Sequence, residues 1–381
     1  MKKRVLIVTT FLGVRGGGSA VCAWAIEALR EDYQVCVSAL EPADCAALNR
    51  FYGTSLRDQD FQQIVAPQRY RRLRRWMPTQ GALLDRCLAM RWAQSLDRKN
   101  RYDLMLGTQD EMDFGRRGIQ YVHNSWTYDP SARGDMRWFH YIPAVLQLYQ
   151  RCCGSIARVS NEGLRANLSL TNSNFMRDRI RRMHGVDATL LYPPVPGGFA
   201  ALPWEQRQKS FVGLGRLADA KRWGLALEIL EEVRRRGFDV TFTLIGRGDD
   251  SACSQHLRAR AAGSPWFRLA ETLTRAELVQ EVPRHRYGIH AMEDEHFGIG
   301  PAEIQRAGCI LFAHNSGGPR EIVDDPRRLF DTVEDAADKI ERMLKDPALE
   351  EDFRRRTIGQ QVRFTEAAFI GGLREIVARF I

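Results

Sequence analysis

At 381 residues, 44% hydrophobic and 27% charged, the chain has an ordinary globular composition and the length of two domains of roughly 150–200 residues, each able to bury a core. No run approaches the ~18 apolar residues that cross a bilayer. The eight scattered cysteines, without CxxC pairs or histidines at zinc spacing, exclude a disulfide framework and read as reduced thiols of a cytoplasmic protein.

In chain order, MKKRVLIVTTFLGVRGGG starts basic and then apolar, like a signal peptide. Its apolar run is β-branched and enters a glycine loop without a small-residue cleavage site, so a first strand over 4–10 is expected instead. The loop GVRGGGSA (13–20) leads into a helix over 20–31, and YQVCVSAL (33–40) is the next strand. This β-loop-α-β opening begins a doubly wound sheet. YDLMLGT (102–108) and GIQYVHNS (118–125) are strands with polar tips, and LSLTNS precedes a helix that Asn172 or Ser173 can cap. TLLYPPVPGGF (189–199) breaks regular structure and reads as the interdomain linker, with the boundary near 195–208.

The alternation then restarts. KSFVGLGRL (209–217), DVTFTLIGRG (239–248), the end of ELVQEVPRHRYGIHAM (277–292) and CILFAHNSGGPREIV (309–323) supply strands. Helices are expected over 221–237, ended by Gly237, over 300–308, and in RLFDTVEDAADKIERMLKDP (328–347). No repeat of 20–50 residues points to a solenoid.

A net charge of +9 and a pI of about 9.3 favour anionic partners: nucleotides, phospholipid surfaces or nucleic acid. RYRRLRRW (69–76) places Arg69, Arg71, Arg72, Arg74 and Arg75 beside Tyr70, Leu73 and Trp76 at near-helical spacing. Such runs are ordinarily solvated helix faces, but a basic amphipathic segment also suits an anionic membrane surface. RDRIRRMH (177–184) is a second arginine cluster. DQD at 58–60 has no supporting neighbours, and no metal site is assigned.

Four segments end a strand and open a helix with glycine: GVRGGGSA, GLGRLADAKR, EDEHFGIGPAE and HNSGGPRE. In doubly wound sheets ligands bind outside the carboxyl ends of strands, where helix N-termini offer free N–H groups. EHFGIGPAE (295–303) puts Glu295 before the glycine turn and Glu303 after it, with Pro301 expected at the first helical position. Glu303 alone would merely complement the helix dipole. Two acceptor-only carboxylates around glycine-opened backbone instead suit a ligand with hydroxyls and phosphates, such as a nucleotide sugar. Arg216 and Lys221 flank a strand-to-helix loop and can reach a diphosphate.

On these residues the sequence resembles the family 4 retaining glycosyltransferases of the GT-B fold. The carriers are Glu295 and Glu303 with seven residues between them, the G-R-x₄-K element at Gly215, Arg216 and Lys221, and the glycines at 16 to 18. TNSNFMRDRI and LYPPV also match. HFGIG, AHNSGGPREIV and RFTEAAF (363–369) look closest to the lipid-linked-oligosaccharide α-1,2-mannosyltransferases. The resemblance implies two Rossmann-like doubly wound α/β domains facing a central cleft. An acceptor-binding domain would span 1–198, joined by a return helix at about 366–381, and a nucleotide-sugar domain 199–365.

It further implies that Glu303 binds ribose hydroxyls and Glu295 a hydroxyl of the donor sugar. Arg216, Lys221 and backbone at Phe297, Gly298 and Ile299 would hold the diphosphate. Gly17 and Gly18 would let the N-terminal loop approach that diphosphate, and His123 would lie near the transferred sugar. The implied reaction is metal-independent transfer with retention, without a cofactor, from a nucleoside-diphosphate sugar to a glycan or lipid-linked acceptor hydroxyl. GDP-mannose is the first donor expected, and glycolipid, lipid-linked oligosaccharide or surface polysaccharide synthesis the setting, on the inner face of the membrane. Competing readings are a glycosyltransferase acting on DNA or a small natural product, a nucleotide-sugar epimerase or glycosyl phosphorylase, and a nucleic-acid-binding protein. The paired glutamates argue against the epimerase, and missing nucleic-acid motifs against the last.

Overall fold

The computed structural model describes residues 2–14, 16–70, 82–124, 142–271 and 273–381. Arg71, Arg72, Arg74, Arg75 and Trp76 of the basic segment lie outside the described residues. Contacts divide the chain into two units, Met1–Pro194 with Phe369–Ile381, and Val195–Ala368. The chain first changes unit within TLLYPPVPGGF, and the second crossing lies in the last helix, Glu366–Phe380.

The first unit is built on β1 (Arg4–Val8), β2 (Gln34–Ala39), β3 (Gln62–Val65), β4 (Leu104–Gly107), β5 (Ile119–Val122), β6 (Leu168–Thr171) and β7 (Thr189–Leu190). They form one sheet in the order β3-β2-β1-β4-β5-β6-β7, and every pairing is parallel. A parallel sheet is covered on both faces, which explains the unbroken apolar runs. Val5, Ile7, Val35 and Val37 pack with Trp24 and Ile26 of helix Gly17–Leu29 and with Phe369, Leu373 and Val377 of the last helix. Leu6, Val8, Cys36 and Met105 face the other way, onto Leu88 and Met90 of helix Ala82–Asn100 and Cys153 of helix Pro143–Ala157. The two-residue side-chain period of a strand divides the apolar residues between these layers.

The second unit has β8 (Gln208–Leu214), β9 (Thr241–Ile245), β10 (Phe267–Ala270), β11 (His285–His290), β12 (Ile310–His314) and β13 (Leu329–Phe330). Their order is β10-β9-β8-β11-β12-β13, again all parallel. Phe211, Phe242, Tyr287 and Phe312 meet Trp223 and Leu227 of helix Trp223–Arg235 and Ala337 and Ile340 of helix Val333–Lys345. Helix Ile299–Arg306 covers the opposite face, close enough that a Cβ on Gly288 would lie 2.3 Å from Ile304 Cγ2.

In each sheet the strand order reverses beside the first strand, β1 or β8. A crevice opens at the carboxyl ends of the strands there. The segments Thr9–Gly18 and Thr108–Asp110 follow β1 and β4, while Gly215–Lys221 and Ala291–Gly298 follow β8 and β11.

Two local expectations need correction. Gly17 and Gly18 are not loop residues: the helix begins at Gly17, with Gly16 (φ 78°) as its N-cap. Pro301 is the third residue of its helix rather than the first, because Gly298 (φ 97°) is the N-cap. An absent N–H costs nothing at that third position either, since the first four helical N–H groups have no intrahelical acceptor. Glu303 consequently lies beyond the first turn, and the dipole no longer explains it.

The last helix fills the core of the first unit, so shortening a buried side chain there is expected to destabilise that unit. Leu373→Ala should cost about 2–5 kcal/mol. Calorimetry should show the transition of the first unit shifted down and that of the second unmoved; a shift confined to the second unit would contradict this packing.

Candidate functional site

The second unit gathers Glu295, Glu303, Lys221 and Arg216 around the carboxyl ends of β8 and β11. Gly300 lets helix Ile299–Arg306 come this close, since a Cβ there would lie 2.2 Å from the Leu214 carbonyl oxygen. The turn before it is fixed by the Gly318 N–H, which donates to the Glu295 carbonyl at 2.7 Å. Phe297 buries its ring against Phe364, with centroids 5.4 Å apart. Only its backbone remains to meet a ligand.

Glu295 is 9% exposed. Its Oε2 pairs with Lys221 Nζ and lies 3.5 Å from His290 Nε2. Burial raises the Glu295 carboxyl, but Lys221 and His290 more than reverse this and hold it well below the usual carboxylate range. A lysine one turn of chain from β8 and a histidine ending β11 thus keep a buried carboxylate ionised.

Glu303, also 9% exposed, pairs with Arg275. Here burial outweighs the guanidinium and pushes the carboxyl above its ordinary value. Arg275 further donates to the carbonyls of Pro196 and Gly197 at 2.6 and 2.9 Å, and its guanidinium lies 5.1 Å from the Phe199 ring centroid. Arg306, on the same helix as Glu303, pairs with Glu366 at 2.5 Å, which accepts the Gly197 N–H at 2.7 Å. Arg216 is exposed, while its carbonyl accepts the Trp223 indole N–H at 2.8 Å.

The first unit assembles its own group. His123 follows β5, and its Nε2 lies 3.0 Å from the Thr108 carbonyl oxygen. A carbonyl can only accept, so that nitrogen carries the proton and Nδ1 keeps its lone pair in the neutral ring. Burial lowers the His123 pKa, with Asp110 opposing. Asp110 accepts the N–H groups of His123 and Asn124 at 2.9 and 2.8 Å and pairs with Arg86 at 2.9 Å. A Cβ on Gly18 would lie 3.3 Å from Gln109 Cγ and 3.8 Å from His123 Nε2, so the start of helix Gly17–Leu29 is in contact range of the histidine. Arg69, exposed, lies elsewhere, its guanidinium 5.3 Å from the Tyr70 ring centroid.

Sequence reasoning missed His290, Arg275, Asp110 and Arg86. His290 lies in the segment 277–292, whose end reads as a strand, and Asp110 lies two residues past the strand YDLMLGT; their position after an apolar run was the usable signal. Arg275 and Arg86 lie on helices far along the chain from their partners, and nothing in their spacing marks them. No group of three or more His, Cys, Asp or Glu with metal-binding geometry occurs among the described residues.

Residues 199–360 match the profile of the family described as Glycosyl transferases group 1. The match covers less than half of the chain and lies within the second unit. The two parallel sheets make the GT-B fold. The chain is 25% identical over 217 residues to the GDP-Man:Man(3)GlcNAc(2)-PP-Dol alpha-1,2-mannosyltransferase of Dictyostelium discoideum, covering 51% of this chain and 43% of the relative. The chain therefore spans under half the length of that enzyme. A Rickettsia africae glycosyltransferase structure superposes with TM-score 0.66 at 14% identity, covering 100% of this chain and 98% of that one. Anabaena HepE, solved with UDP and glucose, gives 0.66 at 13% identity over 99% and 100%. No described helix is long and apolar enough to cross a membrane.

The opposite shifts of the two glutamates separate their effects on stability. The folded Glu295 carboxyl lies below its unfolded value, so its contribution is present at neutral pH and is lost as pH falls through the depressed value. Glu303 lies above its unfolded value, so its contribution is present in acid and is lost as pH rises through the raised one. Glu295→Gln is expected to cost about 3–5 kcal/mol at pH 7, since it strands Lys221. Glu303→Gln should cost less than half as much, because burial outweighs Arg275 there and the fold favours its carboxylate less. Urea unfolding of both variants at pH 7 measures the difference, and equal losses would contradict it.

Proposed function

We propose that this protein is a family 4 glycosyltransferase of the retaining, metal-independent class, which moves a sugar, mannose from GDP-mannose in the first instance, from a nucleoside diphosphate to the hydroxyl of a glycan or lipid-linked acceptor. The setting would be glycolipid, lipid-linked oligosaccharide or surface polysaccharide synthesis. The observation that carries the reading is the meeting of Glu295, Lys221 and the glycine-opened start of helix Ile299–Arg306 at one sheet's switch point. An ionised carboxylate next to a cation and free N–H groups suits a ligand that combines hydroxyls with a diphosphate. The mannosyltransferase relative supports the choice of donor, and HepE, solved with UDP and glucose, supports nucleotide-sugar binding.

In this reading the bond from the sugar C1 to the diphosphate oxygen breaks, and the acceptor oxygen bonds to C1 on the same face. The acceptor proton passes to the departing phosphate. Arg216, Lys221 and the N–H groups of Gly298 and Ile299 stabilise the charge that develops on the diphosphate. Glu303 accepts from the ribose hydroxyls and Glu295 from a sugar hydroxyl. Gly17, Gly18 and neutral His123 are further proposed contacts of this ligand, the ring acting as hydrogen-bond partner rather than cation.

A thermal-shift screen of GDP, UDP, ADP and dTDP sugars identifies the donor, since a ligand at 100 times its Kd adds ~2.7 kcal/mol of stability. Glu303→Ala is then expected to weaken the free nucleoside diphosphate ten- to a hundredfold, the equivalent of roughly 1.5–3 kcal/mol for a charge-assisted contact. Glu295→Ala should leave diphosphate affinity nearly intact and reduce turnover and donor affinity. Calorimetry with diphosphate and with intact donor tests the split; parental binding and full-rate transfer in both variants would end the proposal.

An anionic membrane surface is proposed to meet Arg69, Arg71, Arg72, Arg74, Arg75 and Trp76. Basic residues near anionic lipid contribute about 1 kcal/mol each. With all five arginines replaced by glutamine, binding to anionic vesicles should vanish while donor binding persists. Unchanged vesicle binding would refute the contact.

A further inference from the structure

The switch-point residues occupy the carboxyl ends of the first sheet, but a cavity of that unit lies at the other end. It measures about 520 Å³ and opens beside the segments leading into β5 and β6, between the last turns of helix Ala82–Asn100 and the junction of helices Pro143–Ala157 and Asn161–Ala166. Nothing in the proposed transfer uses it.

Five arginines and three carboxylates line this cavity, and hydrogen bonding divides them sharply. Arg116 is neutralised, with Nε and Nη2 donating to Asp97 at 2.8 and 3.0 Å. Asp113 is 4% exposed and already committed, accepting from the Gly115 N–H, the Ser160 N–H and the Ser160 hydroxyl at 2.8, 2.9 and 3.1 Å. Glu162 is exposed at the start of its helix. Arg91, Arg98, Arg117 and Arg158 remain, and among the described residues none has a carboxylate partner. Arg117 instead stacks 5.1 Å from the Phe380 ring centroid.

Arg91 adds an independent signal. Its Nη1 is shut off from solvent and has no hydrogen-bond partner. A buried charged donor left unpaired costs more than a neutral one, and an arginine cannot shed its proton to escape that cost. A ligand with negative charge in the cavity would offset this unpaired charge through space and accept hydrogen bonds from the exposed guanidinium groups of Arg98, Arg117 and Arg158.

We propose that this cavity is a second ligand site, distinct from the donor residues, which takes a phosphate-type oxyanion with two or more negative charges. Guanidinium groups match phosphate oxygens bidentately, and four arginines facing one exposed carboxylate leave room for such a charge. A free pyrophosphate and a phospholipid headgroup share this chemistry.

Calorimetry with inorganic pyrophosphate in 150 mM salt, on the full chain, tests the site. Arg91→Gln should raise the pyrophosphate Kd at least tenfold. Arg158→Gln alters an exposed side chain and keeps the test sound if the first variant folds poorly; it should raise Kd severalfold. Arg216→Gln should leave this binding component in place, which separates it from any pyrophosphate held at the donor residues. Co-sedimentation with phosphatidic acid vesicles, with phosphatidylcholine vesicles as control, assigns the source. Loss of vesicle binding in Arg158→Gln identifies a lipid headgroup, whereas pyrophosphate binding without such loss identifies a free anion. Pyrophosphate binding that survives both cavity variants, or that disappears in Arg216→Gln alone, would overturn the assignment.

Discussion

Taking the Glu295 carboxylate out of water costs several kcal/mol, and the second unit is arranged around offsetting that cost. Lys221 reaches it from the short turn after β8, and His290 from the end of β11. The loop carrying it is pinned from below by the Gly318 N–H. Each support comes from a different stretch of chain, so the carboxylate has a fixed position only once β8, β11 and β12 have paired. The constraint also explains why the helix after it must come close. Gly300 against the Leu214 carbonyl leaves no space for any other residue, and a wider approach would open the loop to water.

Glu303 answers to different forces although it is equally buried. Its partner Arg275 shares its donors with two carbonyls, so less of the cation's attraction reaches the carboxylate, and burial prevails. Of two glutamates eight positions apart, one is held as an anion by its own cation and the other is poorly compensated. A ligand donating hydroxyl hydrogen bonds gains more at the second, because it supplies what the protein leaves short. A ligand approaching Glu295 must share the carboxylate with Lys221, and a nearby diphosphate would draw the same ammonium toward itself.

Much of this was legible from sequence because it is local. A continuous apolar run such as RVLIV has one stable setting, inside a parallel sheet, and glycine after it signals a close approach. Ser173, read as one of two possible caps, does cap its helix, accepting from the Met176 N–H at 3.1 Å. The errors were local too. The glycines of GGGSA read as loop, yet the helix that packs Ala20, Val21 and Trp24 into the first core begins at Gly17. Pro301 is expected at the first helical position and stands at the third, where its missing N–H is tolerated just as well. The site's supports were not legible: Arg275 precedes Glu303 by 28 positions and Arg86 precedes Asp110 by 24, and only tertiary folding joins them.

Helix Ile299–Arg306 also holds two segments at the ends of the second unit, Pro196–Gly197 and Glu366. Glu303 on one side holds Arg275, whose remaining donors hold Pro196 and Gly197. Arg306 holds Glu366, which takes the Gly197 N–H. The Val195 N–H donates to the Phe364 carbonyl at 3.0 Å, so the outgoing and returning segments are bonded to each other as well as to the helix. Three prolines in YPPVP restrict the outgoing segment further. A guanidinium has five donors in a fixed fork, and those of Arg275 serve both a carboxylate at the candidate site and the carbonyls of the linker. Whatever draws Glu303 away from Arg275 therefore changes the demand on the donors that hold Pro196 and Gly197. Arg275 thus ties Glu303 to the positions of Pro196 and Gly197 within the second unit.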